Sequence, residues 1–138
     1  MKKKIETQLD FIVDKLTNSI ENTISGDSFA TEVSRFTIKD CKQINKKNGW
    51  NFDWKLELSN DQNEVYKLHI INNSDIIQGL LSIRKETDHI FMNLLENAPF
   101  NIGKIKLYEG VAGNLVAFAC KISFQYGFEG FVSFTAKT

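Results

Sequence analysis

The chain has 138 residues, 42% of them hydrophobic and 25% charged, and its 17 basic and 17 acidic residues balance to a formal charge of zero. A chain of this length buries a sizeable core within one domain, so we expect a single domain over residues 1–138. The balanced charge gives no support for nucleic acid or an anionic membrane as a partner.

The sequence contains no feature of a membrane, secreted or metal-binding protein. No apolar run approaches the roughly 20 residues of a membrane-spanning helix, and residues 1–4 are followed by an amphipathic segment with acidic side chains. Cys41 and Cys120 are far apart and form no CxxC motif or histidine cluster, so neither a disulfide nor a metal site is predicted. We therefore expect a cytoplasmic protein.

The N-terminal part predicts a helix, a strand and a second, shorter helix. Over residues 4–25, isoleucine and leucine recur at steps of three and four, which indicates an amphipathic helix that covers the domain or pairs with a second copy. Residues 32–38 alternate polar and apolar side chains as a half-buried strand does. Asp40 would cap a short helix that runs to about Lys47 and ends at Asn48-Gly49.

Four runs in the middle of the chain have strand character. Residues 54–58 and 65–71 alternate, and residues 76–83 are more continuously apolar around Gly79. In the fourth run, residues 89–96, both faces are largely apolar, which predicts a central strand covered on each side. One face of this strand is expected to carry Ile90, Met92 and Leu94, and the other Phe91, Asn93 and Leu95.

The C-terminal part begins with a turn of small residues, Gly110, Ala112 and Gly113. Apolar residues at helical spacing then predict a helix that ends at Gly127, and residues 130–136 predict a last strand. Strand, helix and strand form a βαβ unit, whose strands should be parallel neighbours. The turn also brings unpaired backbone N–H groups to the positive end of a helix dipole, which suits a phosphate or another anion.

Together these elements predict an α+β (α/β) domain with a mixed, mostly antiparallel central sheet and flanking helices. Their order resembles the GNAT family of N-acetyltransferases, from the N-terminal helix to the fifth strand. The turn Gly110-Val111-Ala112-Gly113-Asn114 is similar to the family's pyrophosphate loop, Q/R-x-x-G-x-G/A. Gly110 matches the first glycine and Ala112 the last small residue, whereas Leu107 stands at the family's polar position.

The resemblance implies transfer of an acetyl group from acetyl-CoA, as cosubstrate, to an amine. Backbone amides of the predicted cofactor-binding turn would hold the pyrophosphate. The strand edge from Met92 to Leu95 would pair with the pantetheine amides, with Leu94 and Leu95 as the predicted contacts. The predicted turn contacts are Gly110, Val111, Ala112, Gly113 and Asn114, whose side chain could also bond coenzyme A. Lys104 and Lys106 would either pair with the 3′-phosphate or form a solvated loop.

The resemblance also implies a general base that removes the proton of the attacking amine. Glu96, at the end of the presumed central strand, is the first candidate and Glu109 the second. A strand-end carboxylate in water is an equal alternative for Glu96. The acceptor amine stays open, because loops build its pocket.

The family usually continues with a further helix and two strands. We therefore expect either a missing part supplied by another subunit, for example in a homodimer, or a shortened form with weak or no activity. The alternative function is a non-catalytic acyl-CoA-binding or protein-interaction module with a truncated version of the fold. Leu107 and the missing elements motivate this alternative.

Overall fold

The computed structural model of the protein describes residues 18–135. Its strands are β1 (Ser19–Asn22), β2 (Ser28–Arg35), β3 (Asn63–Ile70), β4 (Gly79–Lys85), β5 (Ile90–Asn97), β6 (Tyr108–Glu109) and β7 (Val132–Phe134). They form one sheet in the order β6-β1-β2-β3-β4-β5-β7, in which β5 and β7 are parallel and the other neighbours antiparallel. The described α-helices are α1 (Trp54–Ser59) and α2 (Val111–Gln125). The predicted mixed, mostly antiparallel α+β architecture is confirmed.

The two faces of the sheet are covered by two hydrophobic clusters. On one face, α2 packs its buried residues Leu115 and Ala119 against strand residues such as Leu81. Leu80 points to the opposite face, because side chains alternate along a strand, and there it packs against Trp54 of α1 and its neighbours. The central strands β3 to β5 are therefore apolar on both sides, as predicted for residues 89–96.

The predicted βαβ unit is confirmed by the pairing of β5 with β7. Ile90 lies opposite Val132 and Met92 lies opposite Phe134, in parallel register. The helix between these strands is followed by Gly127, which has a φ of 81°. This left-handed conformation is the cap predicted for the end of the helix.

β5 contains a β-bulge at Asn93. Ser82 of β4 pairs with Leu94, but the next residue of β4 pairs with Met92, so Asn93 has no partner across the ladder. One extra residue shifts the alternation of side chains, so that Leu95 packs on the α2 face and Leu94 packs in the cluster on the opposite face. The predicted grouping of Leu94 with Met92 was wrong for this reason.

The predicted helix over residues 4–25 is wrong in its described portion, and residues 4–17 lie outside the described residues. Ser19–Asn22 forms β1, which pairs with both β2 and β6. The Asn22 side-chain oxygen accepts hydrogen bonds from the backbone N–H groups of Ile24 and Ser25, each at 3.0 Å, and so starts a turn. Ile24 is 86% exposed in this turn and contributes to no helical face.

Residues 54–58, predicted as a strand, form α1. The Asp53 carboxylate accepts the backbone N–H of Leu56 at 3.0 Å, which is a side-chain N-cap and starts the helix. Instead of the short helix predicted after Asp40, the chain forms two 3₁₀ turns, Asp40–Gln43 and Lys46–Asn48. Gly49 ends the second turn with a φ of 94°, as the Asn48-Gly49 signal predicted.

Candidate functional site

The two glycines at the start of α2 are open to solvent. Gly110 precedes the helix with a φ of 97°, a conformation that favours glycine, and both Gly110 and Gly113 are exposed. The backbone N–H groups of Val111, Ala112 and Gly113 donate to no acceptor of the described residues. These three groups therefore point out of the helix end as free donors.

The side chain of Asn114 stabilises this turn. Its side-chain nitrogen donates to the carbonyls of Ser19 and Gly110 at 2.8 and 2.7 Å, and its oxygen accepts the Thr31 hydroxyl at 2.6 Å. Its backbone N–H donates to the Gly110 carbonyl at 3.0 Å. These bonds tie the turn to β1 and β2. They already use the side-chain amide and the backbone N–H of Asn114, which is 4% exposed, and so favour a structural role for this residue.

β6 sets the position of the turn. Glu109 pairs with Glu21 of β1 at the edge of the sheet, directly before Gly110. This strand of two residues has no apolar alternation of its own, so the sequence pattern gave no signal for it. Two lysines were predicted as possible partners of the 3′-phosphate. Lys104 is exposed, and the Lys106 ammonium lies 3.8 Å from the Glu109 carboxylate in a solvent-exposed pair.

β5 presents an unpaired edge beyond the bulge. The β7 register ends opposite Met92, and no described residue pairs with β5 after it on that side. The backbone N–H of Ala98 donates to the Gln78 carbonyl on the β4 side at 2.9 Å. Because the backbone groups of successive residues in a strand point to opposite sides, the N–H and C=O groups of Asn97 and Leu95 point away from β4. Leu95 thus offers backbone groups to a ligand, whereas the backbone of Leu94 is turned towards β4.

The unpaired edge lies beside the first turn of α2. Gly79 pairs with Asn97, the last residue of β5. A Cβ atom built on Gly79 would lie 2.7 Å from the Cγ1 atom of Val111, so the helix starts directly over the end of this strand pair. Free strand-edge groups and free helix N–H groups therefore meet at one end of the molecule.

A cleft of about 520 Å³ opens next to the bulge, on the sheet face opposite α2. It is lined by Phe52, Asp53, Leu56, Glu57, Asn60, Asn63, Arg84, Phe91, Asn93, Leu94 and Thr135. Asn93 fixes the bulge within this cleft, because its side-chain nitrogen donates to the Asn63 side-chain oxygen at 2.8 Å and to the Ser82 hydroxyl at 3.2 Å.

The Glu57 side chain is the carboxylate of the cleft that has no partner. It is half-buried on α1 and forms no hydrogen bond or ion pair with the described residues. The neighbouring Arg84 is already paired with Glu86 at 2.6 Å and lies over the ring of Phe91. Sequence reasoning missed Glu57 because its position in the cleft depends on residues 54–58 being a helix.

Glu96, the predicted base, is 5% exposed and holds the segment before α1. Its carboxylate accepts the Asn51 backbone N–H at 2.7 Å, the Trp54 indole N–H at 2.8 Å and the Phe52 backbone N–H at 3.4 Å. An ionised carboxylate offers about four lone-pair sites, so most of its capacity is already used. This environment favours a structural role, and proton abstraction by Glu96 stays a hypothesis.

No protein-family model matches the chain, and no match was found among the curated proteins. Within residues 18–135, neither helix is long and apolar enough to cross a membrane, and no three His, Cys, Asp or Glu side chains are grouped as metal ligands. The resemblance to N-acetyltransferases thus depends on the turn motif and the order of elements.

Proposed function

We propose that the protein is an N-acetyltransferase that moves an acetyl group from acetyl-CoA to an amine. The observation that carries this proposal is the unpaired edge of β5, which begins at the Asn93 bulge and ends beside the free N–H groups of α2. A strand edge that offers N–H and C=O groups suits an extended ligand with amides, and a helix N-terminus suits its phosphates.

In this arrangement the cofactor follows β5. The pantetheine amides pair with the backbone of Leu95 and Asn97 in the way that an added strand does. The pyrophosphate accepts hydrogen bonds from the N–H groups of residues 111–113, where the helix dipole favours negative charge. Lys104 and Lys106 precede this turn and provide positive charge for the 3′-phosphate.

The acetyl group then lies at the bulge, and the amine approaches through the cleft on the other face. The neutral amine nitrogen attacks the thioester carbon, the new C–N bond forms, and the C–S bond breaks as coenzyme A leaves as its thiolate. The thiolate becomes the thiol by taking up one proton, which balances the one proton that the amine loses. The proton that the amine loses goes to a carboxylate of the cleft. Glu57 is the better-placed proton acceptor, because Glu96 is buried among three donors.

The alternative is a non-catalytic acyl-CoA-binding or protein-interaction module. The hydrogen bonds of Glu96 favour this alternative, since they already engage the carboxylate that the family resemblance implied as the base. Fold analogy does not separate an enzyme from a binding module, so activity has to be measured.

The proposal is tested by acetyl-CoA binding and by acetyl transfer to a panel of amines. Ligand at 100 times its Kd should stabilise the fold by about 2.7 kcal/mol, seen as a higher Tm. Glu57→Gln should retain this stabilisation but reduce the transfer rate by about 10²-fold or more, the usual contribution of a general base.

Three other results would change the conclusion. Unchanged melting in millimolar acetyl-CoA would contradict the whole proposal. Stabilisation without transfer to any amine would favour the binding module. Transfer that survives Glu57→Gln but is lost in Glu96→Gln, with the fold intact, would restore Glu96 as the base.

A further inference from the structure

Asn97 has a side-chain oxygen without a partner. Its Oδ1 atom is buried and accepts no hydrogen bond, and among the described residues it is the one buried side-chain nitrogen or oxygen in this condition. Burying an acceptor without a donor destabilises a fold, so such a group calls for an explanation.

The side chain of Asn97 emerges beside the first turn of α2. Asn97 pairs with Gly79, and cross-strand partners point their side chains to the same face of a sheet. A Cβ atom on Gly79 would meet Val111 Cγ1 at 2.7 Å and Leu115 Cδ1 at 3.1 Å, so this face is the one under α2. Asn97 therefore lies where the unpaired edge of β5 ends, with its side chain on the sheet face under the start of α2.

Asn101, four residues later, shows that the fold can satisfy a buried asparagine here. Its side-chain nitrogen donates to the backbone and side-chain oxygens of Gln78 at 3.1 and 2.9 Å, and its oxygen accepts the Tyr108 N–H at 3.1 Å. The unpaired oxygen of Asn97 is thus a local exception in a region that otherwise pairs its amides.

We propose that Asn97 binds the pantetheine arm of the cofactor, with its Oδ1 atom accepting an amide N–H of that arm. This inference rests on the proposed function. Asn97 is four residues from the bulge, about 13 Å along the strand, and adjoins the helix end proposed for the phosphates. An arm that joins the thioester to the phosphates must pass this point.

The experiment compares Asn97→Leu with the matched control Asn101→Leu, using acetyl-CoA and ADP as ligands. ADP contains the pyrophosphate but no pantetheine arm. Asn97→Leu should keep or raise the Tm of the free protein, weaken acetyl-CoA binding about tenfold, and leave ADP binding unchanged. Asn101→Leu should lower the Tm, because it leaves Gln78 and the Tyr108 N–H without their partner.

The outcomes separate this inference from the proposed function. A wild-type protein that does not bind acetyl-CoA contradicts the proposed function, and with it the role of Asn97. Wild-type binding that Asn97→Leu leaves unchanged contradicts the role of Asn97 alone. If Asn97→Leu lowers the Tm as much as Asn101→Leu, or weakens the binding of acetyl-CoA and of ADP equally, Asn97 has a structural role instead.

Discussion

Glu96 illustrates, at the scale of single residues, how the surroundings of a carboxylate decide its role. The sequence correctly predicted that Glu96 lies at the end of an apolar strand. Both active-site bases and solvated side chains are common at such a position. Its three hydrogen-bond donors all come from residues 51–54, whose conformation the sequence pattern did not predict. The role of a strand-end residue therefore depended on a neighbouring segment.

Replacing Glu96 by Gln should lower the free energy of unfolding by about 1–3 kcal/mol, because the amide NH₂ of glutamine would face donors that now meet a carboxylate. Urea denaturation of the purified variant measures this loss. The matched control is Glu57→Gln, which removes no hydrogen bond or ion pair among the described residues. Its free energy of unfolding should stay within about 0.5 kcal/mol of the wild-type value. Equal stability of the two variants would refute the structural role of Glu96.

Asp40 should make stability depend on pH. Burial raises the pKa of Asp40, but hydrogen bonds from the Thr37 backbone, from Lys67 and from the Thr37 hydroxyl outweigh burial and hold the pKa below its ordinary value. The Lys67 ammonium lies 3.0 Å from the carboxylate. A folded pKa below the unfolded one stabilises the fold above about pH 4, and this contribution is lost as pH falls through the folded pKa.

Urea midpoints of the wild type and Asp40→Asn between pH 7 and pH 3 measure this contribution. The wild type should be more stable at pH 7, and the difference should shrink below about pH 4 as the carboxylate becomes protonated. Taking the difference between the two proteins cancels the titration of other carboxylates. A difference that stays constant over this range would show that the charge of Asp40 contributes nothing.

At the scale of elements, length decided which predictions succeeded. α2 has 15 residues and the strands β3 to β5 have seven or eight, enough for their periodicity to be unambiguous. β1 and α1 have four and six residues, and spacing alone does not distinguish helix from strand over such lengths. In these two segments a single side chain determines the local structure, because Asn22 starts a turn and Asp53 caps a helix.

The bulge at Asn93 has no comparable signal in the sequence. A run that is apolar on both faces looks the same with and without an inserted residue, so the register had to come from the pairing with β4. For this reason the sequence assigned Leu94 and Leu95 the same predicted role at the strand edge. The structure gives the outward backbone groups to Leu95 and Asn97.

The packing of α2 on β4 gives a prediction about two glycines. Gly79→Ala should destabilise the fold by about 1–3 kcal/mol, since the added methyl would lie 2.7 Å from Val111 Cγ1 and 3.3 Å from the Glu96 carbonyl oxygen. Gly113→Ala is the matched control: nothing lies within 4 Å of its added Cβ, and alanine favours a helix by about 1 kcal/mol over glycine.

Thermal unfolding should therefore move the Tm of these two variants in opposite directions. Gly79→Ala should also weaken acetyl-CoA binding, because the displaced residue, Val111, carries one of the proposed donors. A Gly79→Ala protein as stable as the wild type would mean that α2 does not lie so close to the sheet.

At the scale of the whole molecule, the fold brings together groups that are distant in sequence. β5 and the first turn of α2 are separated by a long connection that runs to the far edge of the sheet and forms β6 there, paired with β1. The sequence identified the turn and the strand separately, and their contact through Gly79 came from the structure. Asn97 had no sequence signal, because what marks it is the lack of a partner.

Both ends of the sheet have short edge strands. β7 has three residues. Phe131, which directly precedes β7, is 62% exposed, and Phe134, the last residue of β7, is 66% exposed. Exposed apolar residues at a sheet edge favour pairing with another chain, so a homodimer stays a prediction that light scattering of the purified protein checks.

The central claim is that acetyl-CoA lies along β5 and against the start of α2. The most direct measurement is an NMR titration of backbone amides with acetyl-CoA. We predict the largest shift changes at the amides of Leu95, Asn97, Val111, Ala112 and Gly113. Unchanged signals from these five amides at millimolar acetyl-CoA, or larger changes elsewhere in the chain, would contradict the account.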